Sequence, residues 1–220
     1  MKIAWSHTRL SDFEQCPKMF HHKNILKDVP KPSGEHLIRG RDVHKHLENA
    51  VKGTDALPPH LHHCQQLIDG LVANSDEVHA EVQYTLTEGL AETTWFSKTA
   101  WVRMAWDVIA LKDRVAHVWD WKTGKVKDNN SQLALFAAGV MRKYTWIDEV
   151  KTTYIWVDHK KSTSKSFPNT PAVFNGLWQD FSERSECIQL ANEAGNWPAI
   201  KNKYCHWCPC GPHQCEYRES

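Results

Sequence analysis

Hydrophobic and polar positions along the chain follow two periods, which together predict a mixture of helices and strands. Stretches in which apolar residues recur at helical spacing are residues 8–20 (interrupted at Pro17), 35–52, 60–73, 132–143 and 171–194. Stretches that read as strands are residues 78–86, 101–111, 114–122 and 152–158. Strands interspersed with helices in this order indicate an α/β or α+β domain.

The two central strands are separated only by Lys112-Asp113, which predicts a tight hairpin. With this pair as the turn, Asp107 lies opposite Val118, and Ala105 lies opposite Asp120. Directly opposed residues share a face, and faces alternate along each strand. One face of the hairpin is therefore expected to carry Arg103, Asp107, Asp120 and Lys122. The opposite face is expected to be hydrophobic, with Val102, Met104, Trp106, Val108, Val115, Trp119 and Trp121.

Two carboxylates and a lysine on one face are the groups that phosphodiester hydrolysis needs. The carboxylates of Asp107 and Asp120 are suitable ligands for Mg²⁺ or Mn²⁺, which neutralise phosphate charge and activate water. The ammonium group of Lys122 can orient the water or stabilise the transition state. The alternative interpretation is a surface ion pair between Asp120 and Lys122 on a solvated face.

The net charge of the chain is close to zero, so the chain as a whole is not basic. The 220 residues carry a formal charge of +1, so nucleic-acid binding would depend on a local groove in which acidic metal ligands offset basic residues. The eleven tryptophans are core residues by default, although Trp is also a good surface for stacking unpaired bases. We find no apolar run long enough to span a membrane and no secretory signal in MKIAWSHTRL, so a cytoplasmic location and no membrane partner are expected.

The cysteines suggest a metal site in place of disulfides. Seven cysteines is an odd number, and four of them fall within the last sixteen residues, at 205, 208, 210 and 215. The Cys-x₂-Cys spacing lets two thiolates reach one metal. Zinc, with help from His206 or His213, and an iron–sulfur cluster are both compatible with these ligands. Cys64 and Cys187 lie in helical patterns and are expected to be buried.

Several segments, in order along the chain, resemble the PD-(D/E)xK nuclease superfamily, in particular its RecB-like exonuclease branch. GRDVH at 40–44 resembles motif I and implies that His44 binds metal; AWDVIAL resembles motif II and VWDWKTGK resembles motif III. These imply Asp107 and Asp120 as metal ligands, the backbone carbonyl of Trp121 as a further ligand, and Lys122 as the catalytic lysine. SQLALFAAG resembles the QxxxY motif, which implies that Gln132 contacts DNA or the active site, with Phe136 where the family has Tyr. Glu81 resembles an accessory acid that often precedes motif II.

The same resemblance implies a [4Fe–4S] cluster, for which zinc is the alternative. Its ligands would be Cys16, in a Cys-Pro context, together with Cys205, Cys208 and Cys215, leaving Cys210 as a spare that could replace a neighbour. The last interval is one residue longer than is common in the family. We expect one nuclease domain over 1–220, with a restriction-endonuclease-like core (35–196) whose central mixed sheet is flanked by helices. Residues 1–34 and 197–220 would form a staple in which the metal cluster joins the termini.

The function implied by this resemblance is a Mg²⁺- or Mn²⁺-dependent DNA exonuclease, similar to CRISPR adaptation nucleases and phage exonucleases. It would act on single strands or DNA ends in recombination, repair or genome processing, with a helicase or recombination protein as a possible partner. The alternatives are an endonuclease, and a metal-stapled DNA-binding or interaction module without catalysis.

Overall fold

The structure, a computed structural model, describes residues 2–31, 33–127 and 129–218. Its helices are α1 (His7–Gln15), α2 (Pro17–Phe20), α3 (Glu35–Val51), α4 (Gln65–Ala73), α5 (Ser131–Lys143) and α6 (Pro171–Ala194). Its strands are β1 (Glu77–Leu86), β2 (Val102–Lys112), β3 (Val115–Lys122), β4 (Glu149–Trp156) and β5 (Lys161–Pro168). Short 3-10 or π turns cover His21–Leu26, Pro59–Cys64, Val157–His159 and Cys205–Trp207. None of the helices within the described ranges is long and apolar enough to cross a membrane.

The five strands form one mixed sheet in the order β1-β2-β3-β4-β5. Neighbouring strands are antiparallel except β3 and β4, which are parallel and are connected through α5. A parallel pair requires a crossover connection, and α5 supplies it. The predicted central mixed sheet flanked by helices is confirmed.

Strand β5 is absent from the sequence prediction. Its sequence, KSTSKSFP, is almost entirely polar, and most of its side chains are exposed at the edge of the sheet. Edge strands often carry lysine and other polar residues, which protect them against pairing with another chain. The alternation of apolar residues that reveals buried strands is therefore missing from β5.

Helices cover both faces of the sheet. On one face, α1, α5 and α6 contribute Leu10, Phe136 and Phe181 to the larger apolar cluster. On the other face, α3 and α4 contribute Leu47 and Ile68 to a second cluster. Because both faces are covered, the central strands β2, β3 and β4 are buried on both sides and send side chains into both clusters.

The side chains of β1 and β2 change faces at Glu81 and Asp107. Val102, Met104 and Trp106 lie in the larger cluster, whereas Val108 and Ala110 lie in the second cluster. Glu81 and Asp107 face each other but do not pair in the β1–β2 ladder, although the register is the same before and after them. Glu81 has a φ of 55°. A left-handed residue in a strand re-aims the side chains that follow, much as a β-bulge does next to many active sites.

This change of face corrects the predicted faces of the hairpin. The seven apolar residues assigned to one face are in fact divided, since Val108, Trp119 and Trp121 join the second cluster. Nε of Arg103, which was predicted to share a face with Asp107, donates to the carbonyl of Trp95 at 2.7 Å. The prediction assumed unbroken alternation along β2, and the backbone interrupts it.

The predicted hairpin register is also wrong, by two residues. Lys112 pairs with Val115 and Val108 with Trp119, so the turn is Asp113-Arg114 rather than Lys112-Asp113. Asp113 accommodates the turn with a φ of 52°, a conformation that Asp tolerates better than most residues. Continuing this register would place Asp107, not Ala105, across from Asp120.

Gly139 allows α5 to approach the sheet closely. A Cβ at this position would lie 2.5 Å from Sδ of Met104 and 3.0 Å from a ring carbon of Trp106. Both of these side chains are fully buried. The contact holds α5 against β2.

We therefore expect Gly139→Ala to destabilise the protein by about 1–3 kcal/mol, because it overpacks a filled core. Gly176→Ala in α6 is the matched control, since no atom lies within 4 Å of the Cβ it would add. That substitution should stabilise the helix by about 0.5–1 kcal/mol. Urea unfolding monitored by circular dichroism measures both changes, and equal effects of the two substitutions would contradict this packing.

Candidate metal centre and catalytic lysine

Three side chains suited to binding a metal ion meet where β1 and β2 change faces. His44, Glu81 and Asp107 each offer one ligand atom, and these atoms all lie within 4.8 Å of one another. Nδ1 of His44 is 3.3 Å from Oδ1 of Asp107. One imidazole and two carboxylates form a donor set that suits a divalent cation.

His44 comes from α3, which is anchored to the sheet by its neighbours. Val43 and Leu47 are buried in the second apolar cluster, and this fixes the helix against the strands. At Gly40 the same helix passes close to the residue after β3, because a Cβ there would lie 3.2 Å from Oγ1 of Thr123. The GRDVH segment therefore brings His44 to the end of β3 through close packing.

Asp107 is held in place by the backbone of the neighbouring strand. The recorded pairs between β2 and β3 end at Val108–Trp119, and beyond this point the amide N–H of Trp121 donates to Oδ2 of Asp107 at 2.7 Å. The carboxylate thus accepts a backbone donor where the ladder stops. Its other oxygen, Oδ1, faces His44.

The pKa values in this group reflect a concentration of negative charge. Burial raises the pKa of Glu81, and the nearby charges of Asp107 and Glu48 raise it further. Burial by itself would lower the pKa of His44, but hydrogen bonding to Asp107 and the charges of Asp107 and Asp120 raise it overall. A divalent cation would relieve this repulsion, so the side chains present fit a metal ion.

Asp120, Lys122 and Gln132 form a second group beside the first. Nζ of Lys122 lies 2.5 Å from Oδ2 of Asp120 and donates to Oε1 of Gln132 at 2.9 Å. Nε2 of Gln132 donates to Oδ1 of Asp120 at 3.1 Å. The three side chains form a closed ring of polar contacts at the C-terminal end of β3 and the start of α5.

Asp120 is the most buried acid in these two groups, with 5% of its surface exposed. Burial raises the pKa of its carboxyl to about 6, against the opposing charge of Lys122 and with a further increase from Asp107. Oδ2 of Asp120 forms an ion pair with Lys122 and has no other polar partner among the described residues. A buried carboxylate oxygen in this condition is well suited to a further positive ligand.

Tyr154 on β4 belongs to the site and was missed from the sequence. It pairs with Asp120 across the parallel β3–β4 ladder. Its ring centroid is 5.0 Å from Nζ of Lys122, and its hydroxyl donates to Oε1 of Gln132 at 3.5 Å. The signal that could have identified it is the β3-α5-β4 crossover, which places these two positions side by side.

His7, at the start of α1, is a second residue that the sequence analysis did not single out. Burial lowers its pKa to about 4, with smaller effects of the positive charges on Lys122 and Arg184. Its Nε2 is buried without a hydrogen-bond partner among the described residues. The imidazole is therefore neutral at neutral pH and lies close to the lysine.

The structure places the other residues of the predicted site as follows. Trp121 is buried in the second apolar cluster, and its backbone N–H binds Asp107. Phe136 lies in the larger apolar cluster, so this position contributes packing to the core. Asp120 lies in the ring with Lys122 and outside the compact three-ligand group.

The cysteines of the two chain ends meet in one pocket. Cys16, Cys205, Cys208, Cys210 and Cys215 line it, together with Arg218. Cys16 occupies the extended junction between α1 and α2, where Pro17 begins the second helix. Burial raises the pKa of Cys210 to about 12, and Cys208, Cys215 and Cys16 contribute to the shift, so Cys210 lies close to three of the four predicted ligands.

The two remaining cysteines differ from each other. Cys64 is buried in the second apolar cluster, as predicted. Cys187 is exposed on α6, so the prediction that it is buried is wrong. It lies on the outer side of a helix whose buried residues are Trp178, Phe181, Ser185 and Ile188.

Comparison with known protein families matches residues 4–216 to the model of the PD-(D/E)XK nuclease superfamily. The chain belongs to this superfamily. Its mixed five-stranded sheet flanked by helices is the restriction-endonuclease-like fold of these nucleases. Membership implies a metal-binding nuclease, and PD-(D/E)XK nucleases usually use Mg²⁺ or Mn²⁺ and act on DNA.

Solved structures show the same fold at low sequence identity. The protein SSO0001 is 15% identical, with a TM-score of 0.53, over 100% of this chain and 89% of that protein. A protein from Eubacterium rectale named "putative exonuclease" is 11% identical, with a TM-score of 0.52, over 93% of this chain and 86% of that protein. Among proteins with curated descriptions, none matches this chain significantly.

Proposed function

We propose that this PD-(D/E)XK nuclease is a Mg²⁺- or Mn²⁺-dependent DNA exonuclease that acts on single strands or DNA ends. The observation that carries the proposal is the adjacency of two groups. A compact set of ligands, His44, Glu81 and Asp107, lies beside a half-buried lysine, Lys122, that is held by Asp120 and Gln132. Metal ligands next to a fixed cation are what phosphodiester hydrolysis requires.

His44, Asp107 and Asp120 would hold the metal ion, with Glu81 as an accessory acid and the Trp121 carbonyl as a backbone ligand. The three-ligand group contributes nitrogen and oxygen atoms, and Asp120 contributes a buried oxygen whose one polar partner among the described residues is Lys122. When bound, the cation supplies positive charge at the phosphate and promotes loss of a proton from water. Glu81 differs from the other acids in its left-handed backbone, which turns its carboxylate towards the group.

Lys122 would orient the attacking water and stabilise the charge that develops on the phosphate. Its ammonium group is held on three sides, by Asp120, by Gln132 and by the ring of Tyr154. A lysine constrained in this way loses little conformational freedom during the reaction. Gln132 acts through Lys122 and Asp120, since it donates to one and accepts from the other.

The preference for ends and single strands rests on two supports. The fold neighbour from Eubacterium rectale carries the name "putative exonuclease". The resemblance of the motifs to the RecB-like branch also indicates an exonuclease, acting in recombination, repair or genome processing. On this proposal a helicase or recombination partner supplies the unwound strand.

The cysteine pocket is proposed to hold a [4Fe–4S] cluster that staples residues 1–34 to 197–220 around the nuclease core of 35–196. The five cysteines that line the pocket come from both chain ends, and Cys210 lies there with the proposed ligands Cys16, Cys205, Cys208 and Cys215. Zinc bound by the same thiolates is the alternative.

Digestion of end-labelled single-stranded DNA in Mn²⁺ or Mg²⁺ tests the proposed activity. We expect Asp120→Asn and Lys122→Ala each to lower the rate by roughly a hundredfold or more, because each removes a charge at the reacting phosphate. Asp113→Asn, at the exposed hairpin turn at the other end of β3, is the matched control and should leave the rate unchanged. Oligonucleotides blocked at the 5′ or the 3′ end are digested in parallel.

Blocking one end should abolish digestion by an exonuclease. Cleavage that is insensitive to both blocks would replace the exonuclease with an endonuclease. Full activity in Asp120→Asn would contradict the proposed centre itself.

Anaerobic purification tests the proposed cluster. The protein should be brown and contain about four iron atoms per chain, since this is the composition of a [4Fe–4S] cluster. Cys205→Ser should lower the iron content, whereas Cys187→Ser, at the exposed cysteine of α6, should not. A colourless protein that contains zinc would contradict the cluster and leave the proposed nuclease activity untouched.

A further inference from the structure

A large cleft opens directly beside the lysine of the proposed active site. Its volume is about 910 Å³, and Lys122, Gln132 and Tyr154 form part of its wall. The polar side of α1 forms another part, through Thr8, Ser11 and Gln15. The cleft therefore begins at the catalytic groups and is lined on one side by hydroxyl and amide groups.

The loop after β3 and the cysteine-rich tail make this cleft positively charged. Lys125 and Lys127 line it from the loop, and Lys203 lines it from the tail. Asp12 is also in the lining, but its carboxylate already accepts hydrogen bonds from Lys23 at 2.9 Å and Asn24 at 3.2 Å. In a chain whose total charge is only +1, this concentration of lysines is a local feature that suits a phosphate backbone.

The tail also contributes an exposed aromatic ring. Tyr204 lines the cleft, and 44% of its surface is exposed. The ammonium group of Lys203 is 5.2 Å from the centroid of this ring, and the ring of Trp207, which is 73% exposed, is 6.4 Å away. Exposed aromatic rings beside lysines are the usual means of binding single strands, because every base has a face that can stack.

Contacts to the cysteine pocket fix the position of Lys203 and Tyr204. On one side of this pair, Asn202 donates from its side chain to the carbonyl of Gln15 at 3.1 Å and from its backbone to Sγ of Cys205 at 3.3 Å. On the other side, Nη1 of Arg218 donates to the carbonyl of Cys205 at 2.9 Å. The pair therefore lies in a short segment that is tied to α1 and to the cysteines at both ends.

We propose that Lys203 and Tyr204 form the far end of a binding path for single-stranded DNA, and that this path is intact only while the cysteine pocket holds the tail against α1. The inference rests on the proposed function, because the path leads to Lys122. It gives the cysteine-rich tail a role in substrate binding in addition to joining the chain ends. Lys203 and Tyr204 are binding residues, whereas the cysteines position them.

Fluorescence anisotropy with a 5′-labelled oligothymidylate tests this path. A length of about 15 nucleotides lies within the range of single-strand binding sites. Binding is measured without added divalent cation, so that no cleavage is required. Tyr204→Ala should weaken binding roughly tenfold, and Tyr204→Phe should bind like the wild type, because the stacking face is retained. The matched control is Phe96→Ala, since Phe96 is an aromatic residue with 89% exposure outside the cleft lining.

Lys203→Ala should weaken binding at low salt and reduce the slope of log affinity against log salt concentration by about 0.7 to 1. Its control is Lys112→Ala, which removes an exposed lysine at the hairpin end of the sheet. Cys205→Ser should weaken binding as Tyr204→Ala does, whereas Cys187→Ser should not. Circular dichroism of each variant identifies any that fails to fold. The variants Tyr204→Ala, Tyr204→Phe and Lys203→Ala keep all cysteines, so they test the path even if Cys205→Ser does not fold.

Wild-type affinity in both Tyr204→Ala and Lys203→Ala would overturn the proposal, as would equal losses for a duplex of the same length. The binding path and the nuclease reaction can be refuted independently of each other. Nuclease activity in a protein whose DNA binding does not depend on Lys203 and Tyr204 would refute only the path. Binding that depends on these residues in a protein without nuclease activity would refute only the proposed reaction.

Discussion

The hydrogen bond from the Trp121 amide to the Asp107 carboxylate is the contact on which the proposed centre depends. It forms where the β2–β3 ladder ends, so a side chain takes over from backbone pairing. A charged acceptor makes such a bond stronger than one between neutral groups. It fixes Asp107 beside His44, while β3 continues to Asp120 and Lys122. The candidate metal ligands are thereby brought next to the lysine.

This arrangement concentrates acids in one place, from the exposed Glu81 to the buried Asp120. Partial burial raises the pKa of Glu81, burial raises the pKa of Asp120, and Asp107 adds to the effect on each. The positive charge of Lys122 opposes part of the rise in the pKa of Asp120. Lys122 also contacts Gln132 and Tyr154, away from Glu81. The site is thus strained electrostatically in a way that a divalent cation would relieve, which is the usual condition of a metal centre.

Much of the fold follows from local sequence patterns, whereas the details of the site depend on backbone geometry. Alternation and helical spacing predicted an α/β or α+β domain, and the family resemblance implied its central mixed sheet, but the polar edge strand β5 has no apolar pattern to detect. Parity along the hairpin placed Asp107 near Asp120, although the true turn lies one residue further along the chain and shifts the cross-strand register by two. The left-handed backbone at Glu81 reverses the faces of β1 and β2, and nothing in the residue type Glu indicates that conformation. Tyr154 and His7 reach the site only through the crossover and the packing of α1, which are long-range features.

Calorimetric titration with Mn²⁺ tests the central claim most directly, because it measures the metal centre without relying on catalysis. Asp107→Asn and Glu81→Gln should each weaken Mn²⁺ binding by at least about tenfold, as expected for residues at or next to a metal. Glu77→Gln, on the same strand and more than half exposed, is the matched control and should bind like the wild type. Unchanged Mn²⁺ affinity in both Asp107→Asn and Glu81→Gln would contradict the account.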